Sequence, residues 1–365
     1  MKKKRRGDLV GTETKYDIVI VGAGPAGANL ARLIDSKKHK VAIIDGSDGR
    51  EKVCGGLISP DAQDILARYD ISLPKDVLAS PQLFSVRTID LANGLTRYYR
   101  RNYLNVDRRA FDDFTRSLIP DSVEVIKARC ESVFKTTEGY ELTLSDGGRL
   151  MCGFLVGADG ASSVVRRELF RDKKTQKYVA IQQWFKAGEV NPNYSCIFDN
   201  ATSTGCSWVF FKDGMMIFGG AFDKENSREA FEEQKIKLVE LGAVGKNAFD
   251  EPKKTEACLV SRPRLHRGIF RGEDGVFFIG EAAGFISPSS FEGISYALKS
   301  SEALAEAMNL HSDGGKITRA YKRKTESLIA KVKIKCVKRP FMYNQMLRTL
   351  VMKSGLTAIK VNRRK

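Results

Sequence analysis

The sequence predicts an α/β protein, α+β overall: a Rossmann-like nucleotide-binding domain, an inserted antiparallel sheet and a C-terminal helical tail. Three observations carry that reading. A β-branched run enters a glycine turn and a helix, then a second strand that ends on an acid. Short aromatic-rich runs of alternating polarity fill the middle of the chain. Residues 317–365 are helical in composition and hold fifteen Lys/Arg against one acid, Glu326.

The first run, "YDIVIVGAGPAGANLARLI", passes from Ile18–Val21 into Gly22-x-Gly24-x-x-Gly27 and a helix; "KVAIID" then ends at Asp45, 18 residues after Gly27. Strand, glycine turn, helix, strand and acid in this order are what a dinucleotide site requires. Gly22 permits the tight turn, Gly24 lets the backbone approach a pyrophosphate, and Gly27 lets helix and strand pack closely. The helix N-terminus then faces the phosphates, and Asp45 is placed for ribose hydroxyls. This motif alone does not choose between NAD and FAD.

Two later segments extend the pattern. "FLVGADGASSVVRREL" runs from an apolar strand through Asp159 and Gly160 into a helix. "GVFFIGEAAGFISPSSFEGISYALKSSEALAEAM" delivers Glu281 and Gly284 after a strand, with Gly293 and Ile294 opening an Ala-rich helix. A strand-end acid can hold ribityl hydroxyls, and a helix N-terminus aimed at a flavin's N1–C2 edge favours its reduced, negative form.

The glycine turn, GADG and GEAAG, in this order and spacing, resemble the FAD-containing p-hydroxybenzoate-hydroxylase-like flavoproteins. Within that group, "CGG" after the second strand and "GEAAGFIS…EGISYALKSSEALAEA" look most like the geranylgeranyl-reductase branch, and the resemblance covers nearly the whole chain. It implies FAD as cofactor. Residues 14–80, 105–176 and 262–310 would form the FAD-binding domain, 81–104 and 177–261 the β-rich substrate domain, and 311–365 the basic helical segment.

Carried onto this chain, Gly22, Gly24, Pro25, Ala26, Gly27 and Asp45 hold the ADP half. Arg108 reaches toward the cofactor from a helix start. Cys130 falls where the main chain meets adenine. Asp159, Gly160, Gly284, Gly293 and Ile294 match the later motifs. Glu281 stands where most relatives carry Asp, and Phe291 replaces the first glycine of the usual Gly-Glu-Gly-Ile, narrowing the flavin's approach. Cys54, Gly55 and Gly56 lie along the isoalloxazine, the two glycines because side chains there would strike the ring. Cys54 matches the branch's cysteine, implicated in protonating or orienting substrate. The bland alternative is a small buried thiol kept protonated by an apolar site.

Runs such as "KYVAIQQWF", "YSCIFD", "CSWVFF" and "MMIFGGAF" read as antiparallel strands. Trp184, Tyr194, Trp208 and Phe218 are the candidate substrate-pocket residues, with Phe185, Phe198 and Phe210 beside them in the pattern.

Composition excludes other classes. Seven scattered cysteines without a CxxC pair fit reduced thiols and a cytoplasmic protein, and no His/Cys/carboxylate cluster has metal-ligand spacing. The three histidines lack the Ser and Asp company of a hydrolase. "MKKKRR" is not followed by an apolar stretch of signal length, and no segment nears the roughly 20 apolar residues of a membrane span. The net charge of +17 sits at the ends, leaving the body near neutral. The basic tail suits an amphipathic helix on a membrane surface and equally suits one packed back on the protein. Nucleic acid is not favoured.

The expected activity is hydride transfer from reduced flavin to a hydrophobic, isoprenoid-like substrate or lipid. With no second GxGxxG unit, electrons come from an external donor, NAD(P)H or ferredoxin-like. A flavin-dependent monooxygenase is the alternative enzyme, and a flavin-binding sensor or membrane-associated interaction protein the non-enzymatic one.

Overall fold

The computed structural model describes residues 14–47, 52–188 and 192–361. The basic cluster at 2–6 and residues 362–365 lie outside the described residues. In chain order the strands are Thr14–Val21 (β1), Val41–Ile44 (β2), Leu57–Ile58 (β3), Leu83–Asp90 (β4), Leu95–Asn105 (β5), Glu124–Ile126 (β6), Cys130–Thr136 (β7) and Gly139–Leu144 (β8). They continue with Arg149–Gly157 (β9), Gln176–Lys186 (β10), Asn193–Phe198 (β11), Ser207–Lys212 (β12), Met215–Phe222 (β13), Lys254–Arg262 (β14) and Val276–Phe278 (β15). The helices are Pro25–Leu33 (α1), Pro60–Arg68 (α2), Arg108–Ser117 (α3), Val164–Leu169 (α4), Ser227–Glu240 (α5), Ile294–Leu310 (α6), Gly314–Lys324 (α7), Glu326–Tyr343 (α8) and Gln345–Ser354 (α9).

One sheet runs β6-β2-β1-β9-β8-β7, with β15 also on β9. Strands β6, β2, β1, β9 and β15 are mutually parallel, whereas β8 pairs antiparallel with both β9 and β7. The far edge of β9 is shared: β8 pairs its first half and β15 its last three residues. Strand β1 is buried on both faces from Ile18 to Val21, as its unbroken β-branched run requires of a central parallel strand. Helices α1 and α6 cover one face, tied by Asn29, whose Nδ2 donates to Ser301 Oγ at 2.7 Å and to the Leu298 carbonyl at 3.3 Å.

The second sheet runs β14-β10-β13-β12-β11-β4-β5-β3 and is antiparallel except for the parallel β11–β4 pair. Its two faces carry different cores. Phe185, Val209, Met216, Phe218 and Phe222 pack beneath α5 on Phe231 and Leu238. Tyr103, Phe210 and Ile217 form the other face with Leu57, Trp184, Tyr194 and Trp208. Cross-strand register explains the split: Trp184 lies opposite Ile217 and Phe210 opposite Ile217, whereas Phe218 lies opposite Gln183 and Val209.

The C-terminal helices pack on both sheets. Leu328 and Val332 enter the core beside the first sheet. Arg348, almost fully buried, donates from Nε to Asp90 Oδ2 at 2.8 Å, and the Ile359 amide bonds the Tyr98 carbonyl on β5.

Candidate functional site

The carboxyl ends of β1, β2, β9 and β15 open on the same side of the parallel sheet, where such folds bind ligands. Here the chain makes its three acidic and glycine-rich turns. They are knitted together by backbone bonds: Gly22 N to Ile44 O at 3.0 Å, Ala158 N to Val21 O at 2.8 Å, and Ile279 N to Gly157 O at 3.1 Å.

The glycine turn is forced by packing. Gly22 has φ +106°, and a Cβ there would lie 2.7 Å from the Ala158 carbonyl oxygen. A Cβ on Gly27 would lie 1.9 Å from the Gly22 carbonyl oxygen. Gly24 differs, because nothing stands within 4 Å of its would-be Cβ. It is also the N-cap of α1, without a side chain to satisfy the first-turn amides. Pro25 and Ala26, both buried, begin that helix. An uncapped helix end with open space before it suits a pyrophosphate.

Asp45 is 4% exposed. Its Oδ2 accepts from Lys127 Nζ at 2.5 Å, and Arg116 Nε stands 3.8 Å away. Burial raises this carboxyl, and the bonds from Lys127 and Ser47 outweigh it, holding Asp45 below the usual carboxylate range. Cys130 is buried at the start of β7, and the chain just before it, Ala128 and Arg129, runs against Gly46 beside Asp45. Asp159 caps α4 through Oδ2, which accepts from Val164 N at 2.6 Å. Its Oδ1 is buried with no partner among the described residues, and burial raises its pKa. Such an orphaned acceptor beside Gly160, at φ +72°, is a place for a hydroxyl donor.

Glu281 Oε1 accepts from Ser261 N at 2.7 Å, so the longer acid is braced against β14. Its Oε2 pairs with Lys52 Nζ at 3.4 Å. Gly284 ends this turn at φ +87°, where a Cβ would lie 1.9 Å from the Gly268 carbonyl oxygen. Gly293 is the N-cap of α6, again without a side-chain cap, and Ile294 is the first helical residue. Phe291 takes φ +54°, a left-handed conformation that favours glycine. Its ring packs on Tyr178 at 5.7 Å, with the Arg262 guanidinium 5.2 Å from its centroid.

The loop carrying Cys54 docks on the second sheet. A Cβ on Gly55 would lie 2.9 Å from Phe210 Cζ, and one on Gly56, at φ +65°, 2.2 Å from the Val106 carbonyl oxygen. Protein packing by itself therefore demands both glycines. Lys212, 3% exposed, donates to Gly55 O at 2.8 Å and Val106 O at 2.6 Å. Burial lowers its pKa to about 8.

Arg108 starts α3 behind an Asp107 cap, and its Nε donates to Asp112 Oδ1 at 3.0 Å. Its positive charge also acts on the Cys54 thiol. Burial raises that thiol, but Arg108, the Gly56 amide and Lys52 outweigh it and hold Cys54 below the ordinary cysteine value.

Trp184, Tyr194 and Trp208 share the sheet face that meets this loop. Trp184 Nε1 donates to Glu256 Oε2 at 2.8 Å, whereas Trp208 Nε1 is buried with no partner among the described residues. Phe218 does not join them. It is fully buried under α5 on the opposite face, its ring 4.7 Å from Phe231, so it lies outside the candidate pocket.

Sequence reasoning missed a second polar group on that face. Glu292 Oε1 accepts from Tyr103 Oη at 2.5 Å, and Oε2 pairs with Arg101 at 3.2 Å. Tyr103 in turn lies 5.4 Å from the Tyr194 ring. Glu292 was visible in the Gly-Glu-Gly-Ile comparison, but its partners on β5 were not. No group of His, Cys, Asp and Glu suited to a metal ion occurs among the described residues.

Open turns, uncapped helix ends and an orphaned carboxylate oxygen at one strand-end cleft fit a flavin adenine dinucleotide. The chain belongs to the FAD-binding domain family, whose model matches residues 128–331; a lycopene cyclase protein model also matches residues 17–191. Among its relatives is the protein CbrA of Escherichia coli K12, 42% identical over 352 residues, which span 94% of this chain and 98% of that protein. Solved structures share the fold. A geranylgeranyl bacteriochlorophyll reductase-like protein from Thermoplasma acidophilum aligns with TM-score 0.75 at 18% identity, over 93% of this chain and 91% of its own. PqsL of Pseudomonas aeruginosa, a probable FAD-dependent monooxygenase, aligns with TM-score 0.71 at 18% identity, over 93% and 99%. This is an FAD-binding protein.

Proposed function

We propose that the protein is an FAD-dependent reductase of the geranylgeranyl-reductase type, acting on the double bonds of a hydrophobic, isoprenoid-like substrate. The observation that carries this reading is the docking of the Cys54–Gly56 loop directly on an aromatic sheet face. Lys212 holds the loop there from within that sheet.

FAD, when bound and reduced, supplies a hydride. The chain's own residues do the rest. Gly22, Gly24, Gly27, Pro25 and Ala26 present the helix end to the pyrophosphate. Asp45, Asp159 and Glu281 offer carboxylates to hydroxyls, with Gly160, Gly284, Gly293 and Ile294 shaping the turns around them. Trp184, Tyr194 and Trp208 exclude water and lay an apolar chain against the loop.

Addition across a double bond also needs a proton. In this reading Cys54 Sγ gives it, and the nearby Arg108 charge, which lowers the thiol, steadies the thiolate left behind. Reprotonation from solvent then restores the thiol. Electrons enter from an external donor, NAD(P)H or ferredoxin-like.

The test is anaerobic reoxidation of the reduced holoprotein followed by absorbance. A geranylgeranyl lipid is expected to restore the oxidised flavin spectrum in wild type and at least about tenfold more slowly in Cys54→Ala. A lipid that leaves the flavin reduced overturns the reading. If turnover requires oxygen and the product gains an oxygen atom, the monooxygenase reading takes its place.

A further inference from the structure

Helices α8 and α9 bury one side and leave an apolar side bare. The inner side is firmly held. Leu328 and Val332 enter the core, Tyr343 Oη donates to Ser289 O at 2.7 Å, and Lys331 pairs with Asp61 at 2.6 Å. On the outer side Ile334, Val337 and Phe341 repeat at helical spacing and are each more than half exposed. Met346 (75% exposed) and Leu350 (64%) do the same on α9, followed by Leu356 at 69%. Ten of the nineteen large apolar side chains exposed among the described residues fall between Ile334 and Val361. Soluble surfaces rarely concentrate apolar groups in this way without a partner.

Charge narrows what that partner is. Residues 327–361 contain eight Lys/Arg and no acid. Arg348 is spent on Asp90 inside, while Lys333, Lys338, Lys353 and Lys360 are exposed among the apolar side chains. A second copy seated on this face would set like charges against each other without a carboxylate from these residues to offset them. An anionic lipid surface matches both features: aliphatic, Met and Phe side chains enter the acyl boundary, and long lysines reach back to the headgroups. No described helix is long and apolar enough to cross a membrane, so contact is from the surface.

We propose that the outer face of α8, α9 and the residues following them docks the protein on an anionic bilayer. The inference stands on surface chemistry and does not depend on the reaction proposed above.

The test is co-sedimentation of the full-length, FAD-loaded protein with phosphatidylcholine vesicles, with and without phosphatidylglycerol. Binding is expected to the phosphatidylglycerol vesicles and to weaken as salt rises. Val337→Glu/Phe341→Glu/Leu350→Glu is expected to lose at least about tenfold in affinity while keeping its FAD absorbance. A second variant, Lys333→Gln/Lys338→Gln/Lys353→Gln/Lys360→Gln, touches no buried residue and is expected to lose binding to anionic vesicles. Wild-type protein that stays in the supernatant with phosphatidylglycerol vesicles overturns the proposal. So does undiminished binding by both variants. A concentration-dependent dimer that the apolar substitutions abolish, in the absence of lipid, assigns the face to a second copy and also overturns it.

Discussion

Lys212 Nζ donates to the Gly55 carbonyl at 2.8 Å, joining the second sheet to the loop of Cys54 across 157 positions of sequence. The ammonium is buried, sits over the rings of Phe210 and Trp184, and also holds Val106 O. Lys212→Met is expected to keep the fold and to lower turnover of the reduced holoprotein by about tenfold or more, since a misplaced loop costs on that scale. FAD affinity, read by flavin fluorescence, is expected to change far less. A variant with full turnover would leave the loop held by Gly55–Phe210 packing alone.

The same lysine predicts a pH effect. Its folded value of about 8 lies below the ordinary lysine value of 10.5. Between those limits the unfolded chain binds the proton and the folded chain has released it, so the Lys212 contribution to stability rises with pH. Below pH 8 both states are protonated and the contribution is constant. Thermal unfolding of wild type and Lys212→Met at pH 7 and pH 9.5 is expected to show wild type gaining a few degrees relative to the variant at the higher pH. A pH-independent difference would contradict the buried placement.

Burial raises the Cys54 thiol, and the Arg108 charge is the largest of the influences that lower it. Alkylation of Cys54, followed by peptide mass spectrometry, is expected to titrate below the free-thiol value of about 8.5. Arg108→Met is expected to move that midpoint upward. An unchanged midpoint would remove Arg108 from the role of thiolate partner.

Gly27→Ala places a methyl group 1.9 Å from the Gly22 carbonyl oxygen, a backbone atom that cannot swing aside. The variant is expected to purify with little or no FAD, measured by absorbance after denaturation. Full flavin content would contradict the geometry of the turn.

Arg348 and Asp90 form a buried pair at 2.8 Å. Removing the cation alone leaves a carboxylate without its countercharge, and such losses run to about 3–5 kcal/mol. Arg348→Met is therefore expected to lower the unfolding temperature more than the double variant Arg348→Met/Asp90→Asn does. Equal losses would show that the pair adds nothing beyond packing.

What was legible in the sequence was local. Gly22, Gly24, Gly27 and Asp45 lie within one strand-turn-helix-strand unit, where each residue's role follows from the next few along the chain. Long-range partners were not legible. Lys212 meets Gly55, and Glu292 meets Tyr103 across 189 positions, so neither pair leaves a spacing to read. Phe218 shows a second limit. It and Phe210 are both aromatic residues on adjacent strands, yet only the register, with Phe210 opposite Ile217 and Phe218 opposite Val209, shows that they face opposite ways. The reason for Gly55 and Gly56 was hidden in the same way, because Phe210 and Val106 become neighbours only through the fold.

The central claim is that this cleft reduces a carbon–carbon double bond. The measurement that tests it most directly is mass spectrometry of a geranylgeranyl lipid after anaerobic incubation with the dithionite-reduced, FAD-loaded protein. Two hydrogens gained per reduced double bond, with Cys54→Ala giving at least about tenfold less product, is the result predicted. Lipid recovered without added hydrogen from wild type, or product from Cys54→Ala at the wild-type rate, would contradict the account.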